Sequence, residues 1–195
     1  MYLLLLCSLT VAAIAIDRFL LYRRASQGAR ALEADVAAAL RKKKLDEVAP
    51  AVKGKDNMVA HLIQSAVDAR AAGEDVPMTI EAVYGEAAML LRARLNYLST
   101  IVTLAPLLGL LGTISGMIQS FSVFNLQAGQ PMAITGGIGE ALIATATGLL
   151  VAIFALIVHT YFAQRMDTML TLLEKTMNTL LAGFAANDGG RSHAS

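Results

Sequence analysis

Long apolar runs separated by charged stretches dominate the hydropathy pattern of this chain. Between Arg94 and Arg165 only Glu140 and His159 could be charged near neutral pH, and residues 95–139 carry no charged side chain. A bilayer core about 30 Å thick needs roughly 20 apolar residues per helix. The interval is therefore long enough for two membrane spans.

The pattern places these spans at residues 98–124 and 133–163, joined by a short loop at residues 125–132. Another apolar run, from Tyr2 to Ile16, predicts a further span near the start of the chain, at residues 1–22. No basic residue precedes that run and a basic cluster follows it, DRFLLYRR. This polarity favours a retained anchor over a cleaved secretory signal.

The basic residues predict the orientation of the spans. Lys and Arg concentrate in the loops on the cytoplasmic side of a membrane. All 16 Lys and Arg residues of the chain, from Arg18 at the end of the first span to Arg191, fall toward the one side that three spans would place inside. We therefore expect the N-terminus outside and the C-terminus in the cytoplasm.

The segment between the first two spans, residues 23–97, has the composition of a cytoplasmic helical region. It is rich in Ala, Leu, Glu, Lys and Arg, which favour helices. Within it, Asp56 suits a helix N-cap and Gly73 suits a helix end. No strong breaker follows EDVP before the second span, so the pattern predicts one long helix running into that span.

The third span is predicted to continue inward as an amphipathic helix over residues 164–186, on which Met and Leu recur at helical spacing. Residues 187–195 are predicted to be a disordered tail. The fold class is therefore all-α: an integral membrane protein with three transmembrane helices, two of them extended into a cytoplasmic helical region.

Composition narrows the possible functions. A hydrophobic share of 56% with a mean hydropathy of +0.57 is typical of a membrane protein, and a net charge of +1 gives little support to nucleic-acid binding. The basic stretch at residues 41–44 is either a solvated helix face or a contact with anionic membrane lipid. The three histidines are far apart, and the chain has no metal-ligand spacing or phosphate-binding glycine loop. We expect neither an enzyme nor a metal or cofactor site.

Small residues form a stripe in the second span, within APLLGLLGTISGMIQSF. Such stripes let helix backbones approach closely in lipid, where no hydrophobic effect drives helices together. Close packing is expected at Pro106, Gly109, Gly112, Gly116 and Gly148. On this evidence the stripe is either part of a pore or only a packing seam in which Thr113 bonds to a carbonyl one turn back.

Glu140 is the one carboxylate in the last two spans. A charge near the bilayer centre costs at least about 2.5 kcal/mol, so such a residue usually faces protein or water. The alternative is a position near the outer headgroups, where Glu140 would anchor the helix by hydrogen bonds. Thr145 lies about 7.5 Å further along the helix and points about 140° away. Periodicity alone does not say which of these two faces would line a pore.

The two motifs TLAPLLGLLGTISGMIQSF and GIGEALIATATGLLVAI, in this order, closely resemble the ExbB/TolQ branch of the MotA/TolQ/ExbB family. IDRFLLYRR also resembles the first span of that family. The resemblance implies a bacterial inner-membrane protein with a periplasmic N-terminus. It further implies a pentamer whose second and third spans line a pore around two single-span helices of an ExbD- or TolR-like partner.

The resemblance also assigns residue roles. It implies that Thr113 and Thr145 are pore threonines facing an intramembrane aspartate of the partner, and that Glu140 is the glutamate at the outer end of the third span. It gives Thr147 no such role. Phe154 stands where many relatives have proline, which is a departure from the family pattern.

The function implied is a proton-channel subunit of a motor that converts proton motive force into work on TonB- or TolA-like envelope proteins. The mechanism expected is that a protonated, neutral partner aspartate leaves one threonine site and is captured at the next when it loses its proton. Two alternatives are a flagellar-type stator subunit and a membrane scaffold or passive channel. The stator class normally has four spans and a larger cytoplasmic domain, which counts against it.

Overall fold

The computed structural model describes the backbone of residues 2–42, 47–126 and 131–192, and side chains within 2–42, 47–122 and 136–186. The described ranges contain helices and no strand, which confirms the all-α fold class. The helices in chain order are α1 (Tyr2–Ser26), α2 (Ala29–Arg41), α3 (Val48–Val52), α4 (Met58–Ala72), α5 (Val76–Arg92), α6 (Leu95–Leu126) and α7 (Pro131–Ser192).

Three helical stretches are long and apolar enough to cross a membrane. They are Tyr2–Arg41, Val76–Ser122 and Gly136–Ala186. Large apolar side chains are exposed along them, such as Leu5, Leu111 and Leu150. Exposed apolar surface of this extent is typical of helices that meet lipid or other protein chains.

The chain divides into two compact units. The first, here the membrane unit, comprises Met1–Arg18 and Arg94–Ala163, and the second, here the charged unit, comprises Phe19–Ala93 and Gln164–Ser195. The membrane unit contains the predicted second and third spans and the start of the first. The charged unit contains most of the ionisable residues of the chain.

The charged unit has a core of aliphatic side chains placed at helical spacing. Among its most deeply buried members are Leu32, Val36, Val59, Leu62, Ile63, Ile80, Leu91, Leu173 and Leu180. The Met and Leu stripe on α7 supplies part of this core, because Met169, Leu170 and Leu173 are buried. Gly183 lets α2 come close to α7, since a Cβ there would lie 2.9 Å from Leu40 Cδ2.

The start of α4 differs from the prediction by one residue. Asn57, not Asp56, is the N-cap: its side-chain oxygen accepts the Ala60 amide at 2.8 Å. Its amide nitrogen donates to the Gln27 carbonyl at 3.1 Å. An aspartate has no such donor, so the second bond favours asparagine. The helix end at Gly73 is confirmed, with φ of 74° in the left-handed region that glycine tolerates.

The prediction of one long helix through the second span is wrong, because α5 ends at Arg92 and α6 begins at Leu95. Arg94 has φ of 66°, which costs a non-glycine residue about 1–2 kcal/mol. Its guanidinium lies 2.8 Å from Asp17 Oδ1 on α1, and Arg18 Nε pairs with the same carboxylate at 3.0 Å. The ion pair therefore favours a turn that no local breaker signals.

The ends of the last two helices lie near, but not at, the predicted limits. The loop predicted at residues 125–132 corresponds to the interval between Leu126 and Pro131, and residues 127–130 lie outside the described residues. The backbone of α7 is helical as far as Ser192, including residues predicted as the start of a disordered tail. The last three residues of that predicted tail also lie outside the described residues.

Candidate functional site

The candidate site lies in the membrane unit, where the backbones of α6 and α7 touch. A Cβ added at Gly148 would lie 2.6 Å from the Ala105 carbonyl oxygen and 2.9 Å from Gly109 Cα. A Cβ added at Gly109 would lie 3.1 Å from Thr145 Cα. Real Cβ contacts are rarely this short, so these two glycines allow an approach that any side chain would prevent.

Small residues continue this contact along both helices. We call the whole contact the glycine seam. It comprises Ala105, Gly109, Gly112, Gly116 and Ser120 on α6, and Gly137, Ala141, Ala144, Thr145 and Gly148 on α7. A Cβ at Gly112 would lie 2.7 Å from Ala144 Cβ, and one at Gly116 would lie 2.9 Å from Ala141 Cβ. A Cβ at Gly137 would overlap Ser120 Oγ. The order of these contacts makes α6 and α7 antiparallel.

Pro106 lies inside α6, next to the seam residue Ala105. Proline has no amide hydrogen, so the Val102 carbonyl, four residues earlier, lacks its usual donor within the helix. The five predicted packing positions thus have different surroundings: the four glycines lie on the seam, and Pro106 is half-buried beside it.

The hydroxyl of Thr145 forms a hydrogen bond that joins α7 to α6. Its Oγ1 donates to the Gly109 carbonyl at 3.0 Å. Thr113 instead donates to Leu110 O at 2.6 Å, within its own helix, as the packing-seam interpretation expects. Thr147 likewise donates within its own helix, to Ile143 O at 2.7 Å.

Both predicted pore threonines are connected to the Gly109 carbonyl. Thr113 lies four residues after Gly109 in α6, so its backbone amide donates to that carbonyl in a regular α-helix. The hydroxyl of Thr145 reaches the same oxygen from α7. A carbonyl oxygen has two lone pairs and can accept both bonds. The structure therefore places the Thr145 hydroxyl on a carbonyl one helical turn before Thr113, while the Thr113 hydroxyl bonds to a different carbonyl, that of Leu110.

Glu140 lies apart from this arrangement. Its side chain is exposed, whereas its neighbour Ala141 is buried in the seam. Among the described residues the side-chain carboxylate of Glu140 has no ion pair and no hydrogen bond. The carboxylate is thus available to a group outside the chain and is not used to join α6 to α7.

The described residues contain no group of three or more His, Cys, Asp and Glu side chains arranged to hold a metal ion. The chemistry available near the glycine seam is that of hydroxyl groups, backbone carbonyls and one separate carboxylate.

Sequence reasoning did not find the Gly109 carbonyl as the acceptor for Thr145. It also overlooked the alanines opposite the α6 glycines. A signal for the alanines was present, because Gly137, Ala141, Thr145 and Gly148 recur at intervals of three to four residues and so share one face of α7. No comparable signal in the sequence shows which carbonyl a hydroxyl will meet.

Comparison with known proteins places this hairpin within a described family. Residues 51–175, more than half of the chain, match the MotA/TolQ/ExbB proton channel family. The ExbB-like 1 protein of Synechocystis sp. is 55% identical over 65 residues, which are 31% of this chain and 26% of that protein.

Two further relatives come from other bacteria. The Tol-Pal system protein TolQ of Pseudomonas aeruginosa is 34% identical over 108 residues, 55% of this chain and 47% of that protein. The biopolymer transport protein ExbB of Salmonella typhimurium is 38% identical over 74 residues, 37% of this chain and 30% of that protein. The chain thus spans less than half the length of each of these relatives.

Proposed function

Because the chain belongs to the MotA/TolQ/ExbB proton channel family, in its ExbB/TolQ branch, we propose that it is the channel subunit of an inner-membrane motor. In this proposal an ExbD- or TolR-like single-span partner carries an intramembrane aspartate. Proton flow through the complex drives work on a TonB- or TolA-like envelope protein. The relatives named for biopolymer transport and for the Tol-Pal system support this type of system.

The observation that carries the proposal is the hydrogen bond from the Thr145 hydroxyl on α7 to the Gly109 carbonyl on α6, one turn before Thr113, in a helical hairpin that is almost free of charged side chains. Threonine hydroxyls can hold water or a carboxyl group by hydrogen bonds, but they do not themselves gain or lose protons at neutral pH. Glu140 is the only carboxylate between Arg94 and Arg165. A relay of acids across the membrane therefore needs a group from another chain, which the partner aspartate would supply.

The energy available is sufficient for mechanical work. A proton crossing a membrane potential of about 150 mV releases about 3.5 kcal/mol, at about 2.3 kcal/mol per charge per 100 mV. Several protons per cycle would release enough free energy to rotate a partner within a ring of subunits.

In the proposed assembly, α6 and α7 of five copies surround two partner helices. Thr113 and Thr145 line the pore, Glu140 lies near its periplasmic end, and the glycine seam keeps each hairpin closed. The N-terminus lies in the periplasm and the C-terminus in the cytoplasm. The large exposed apolar side chains of the spans contact membrane lipid or neighbouring copies.

Native mass spectrometry of the full chain, co-expressed with a candidate single-span partner, tests the assembly. We expect a ring of five copies that retains two copies of the partner. A stable ring that holds no partner, or whose centre is filled by lipid, would contradict the motor and favour the scaffold or passive channel.

Proton flux into proteoliposomes tests the pore assignment. Thr145→Val keeps the shape of the side chain and removes its hydroxyl, so partner-dependent flux should fall. Thr147→Val is the matched control, because the Thr147 hydroxyl bonds only within α7. Undiminished flux in Thr145→Val would show that Thr145 is not a pore residue.

A phenotype in cells separates the motor from the flagellar-type stator. A motility defect in cells that lack this chain, without an envelope defect, would favour the stator.

A further inference from the structure

The Thr145 hydroxyl has its single hydrogen committed to the Gly109 carbonyl, at 3.0 Å. We propose that this bond makes Thr145 a hydrogen-bond acceptor toward the pore, so that the site holds a protonated carboxyl group and not a carboxylate. The inference rests on the proposed function and adds which protonation state of the partner the site recognises. Thr145 acts here by binding, and Gly109 acts as its positioning residue.

The acceptor role of Thr145 follows from the structure of a hydroxyl group, which has one hydrogen to donate and two lone pairs that accept. With the hydrogen directed to Gly109 O, only lone pairs remain for a guest. The Thr113 hydroxyl is in the same state, because its hydrogen is donated to Leu110 O at 2.6 Å. Both threonines can therefore accept from a water molecule or a protonated acid, and neither donates to a carboxylate.

The glycine seam keeps the Thr145 hydroxyl in this state. Gly109 and Gly148 bring the two backbones so close that a Cβ at Gly148 would lie 2.6 Å from the Ala105 carbonyl. At this separation a hydroxyl on α7 reaches a carbonyl on α6. If the hydroxyl turned toward the pore, the Gly109 oxygen would lose this bond in a setting where water is scarce.

This arrangement reverses the order of events expected from the sequence. A carboxyl group that carries its proton donates its O–H to Thr145 and is held. When the proton passes to water, the carboxylate has only acceptor lone pairs. The hydroxyl oxygens of Thr145 and Thr113 can then form no hydrogen bond with it, and the carboxylate leaves the site. The proton moves from the carboxyl oxygen of the partner to water, and no covalent bond in this chain changes.

Few other groups of the membrane unit could produce a pH response. On α7 the ionisable side chains of this unit are Glu140, His159 and Tyr161, on α6 Tyr97, immediately before α6 Arg94, and on α1 Tyr2, Cys7, Asp17 and Arg18. The Thr145 hydroxyl bonds to a backbone carbonyl and to none of these side chains. Glu140 is the acid nearest to Thr145 in the sequence, so it needs a control of its own.

The test measures partner-dependent proton flux in proteoliposomes as a function of pH, using the complete complex. A hydroxyl that accepts from the acid stabilises the protonated form, so Thr145→Val should lower the pH of half-maximal flux. One hydrogen bond corresponds to a shift of about half to one pH unit. Thr145→Ser retains the hydroxyl and should leave the midpoint unshifted, as should the matched control Thr147→Val. Thr145→Ala is the second variant if the valine form does not assemble.

The outcomes separate this inference from the function on which it rests. A downward shift that persists in a Glu140→Gln background supports the acceptor role. An upward shift would mean that Thr145 donates to a carboxylate, and it would overturn this inference alone, as would flux with an unchanged midpoint. A wild-type complex without partner-dependent flux would overturn the proposed function and this inference with it.

Discussion

Asn57 uses both ends of its side-chain amide, which explains why asparagine occupies the N-cap of α4. The oxygen accepts from Ala60 N at 2.8 Å and the nitrogen donates to Gln27 O at 3.1 Å. Asp56, its neighbour, is exposed and makes neither bond. A single buried side chain thus starts one helix and ties it to the turn between α1 and α2.

Asn57→Ala should destabilise α4 by about 1–3 kcal/mol, because a helix cap and a buried hydrogen bond are lost together. Hydrogen exchange of the α4 amides in detergent-solubilised protein measures the effect. Asp56→Ala is the control and should change the stability by less than about 0.5 kcal/mol. Equal effects of the two substitutions would show that Asn57 is not the cap.

Glu33 is a carboxylate buried in the charged unit, with only 7% of its side chain exposed. Lys175 Nζ lies 3.2 Å from Oε1 but donates its hydrogen bond to Oε2, at 3.3 Å, so Oε1 has a nearby charge and no donor. Lys175 is itself 66% exposed, which weakens the pair through solvent screening. The main effect of Lys175 is therefore to offset the cost of burying the Glu33 charge, and the pair adds little net stability to the charged unit.

Lys175→Met should therefore destabilise the charged unit by about 1–3 kcal/mol, because it leaves the Glu33 charge buried without a partner. Glu33→Leu should be close to neutral, and adding Lys175→Met to it should cost little more. Denaturation in SDS, followed by helical circular dichroism, gives these differences. Lys55→Met, at an exposed lysine, is the control. If the double variant were as unstable as Lys175→Met alone, the coupling would be absent.

The helices that were predicted best are those whose signals are local and long. The three apolar stretches follow from the length of the apolar runs, and the buried Met169, Leu170 and Leu173 on α7 follow from helical periodicity. The break between α5 and α6 does not, because the ion pair of Arg94 with Asp17 on α1 favours it and neither glycine nor proline marks it. The N-cap was misplaced by one residue for a similar reason, since the Gln27 carbonyl that favours Asn57 is 30 residues away.

The candidate site was predictable in part. Residue spacing places Gly109 and Thr113 on one face of α6, but a helical wheel does not show what that face meets. The bond from Thr145 to Gly109 O depends on the register of two antiparallel helices, which is a tertiary property. The pore roles of Thr113, Thr145 and Glu140 remain predictions from the family resemblance.

Gly148 makes the shortest approach to the backbone of α6 in the glycine seam. Gly148→Ala should destabilise the hairpin by about 1–3 kcal/mol, because its Cβ would meet backbone atoms that cannot move aside easily. Gly139→Ala is the matched control: nothing lies within 4 Å of its Cβ, and alanine favours helix by up to about 1 kcal/mol. SDS titration of each variant in mild detergent measures the difference. A Gly148→Ala protein as stable as wild type would show that the helices do not approach this closely.

The chain belongs to a proton channel family and has three helical stretches long and apolar enough to cross a membrane, and the orientation predicted for them is open to a direct test. In a Cys7→Ala background, Gln127→Cys should react with a membrane-impermeant maleimide on spheroplasts, because the loop at 125–132 is predicted to be periplasmic. Ser192→Cys should react only after the membrane is permeabilised. The opposite labelling pattern would reverse the predicted topology.

The contact of Gly109 with Gly148 also bears on how readily the hairpin forms. Neither residue has a rotamer to lose, so closing the two helices there immobilises no side chain. A leucine or methionine contact of the same area would restrict several torsion angles on each helix. Weak dispersion forces are thus enough to hold α6 on α7 in a solvent of acyl chains.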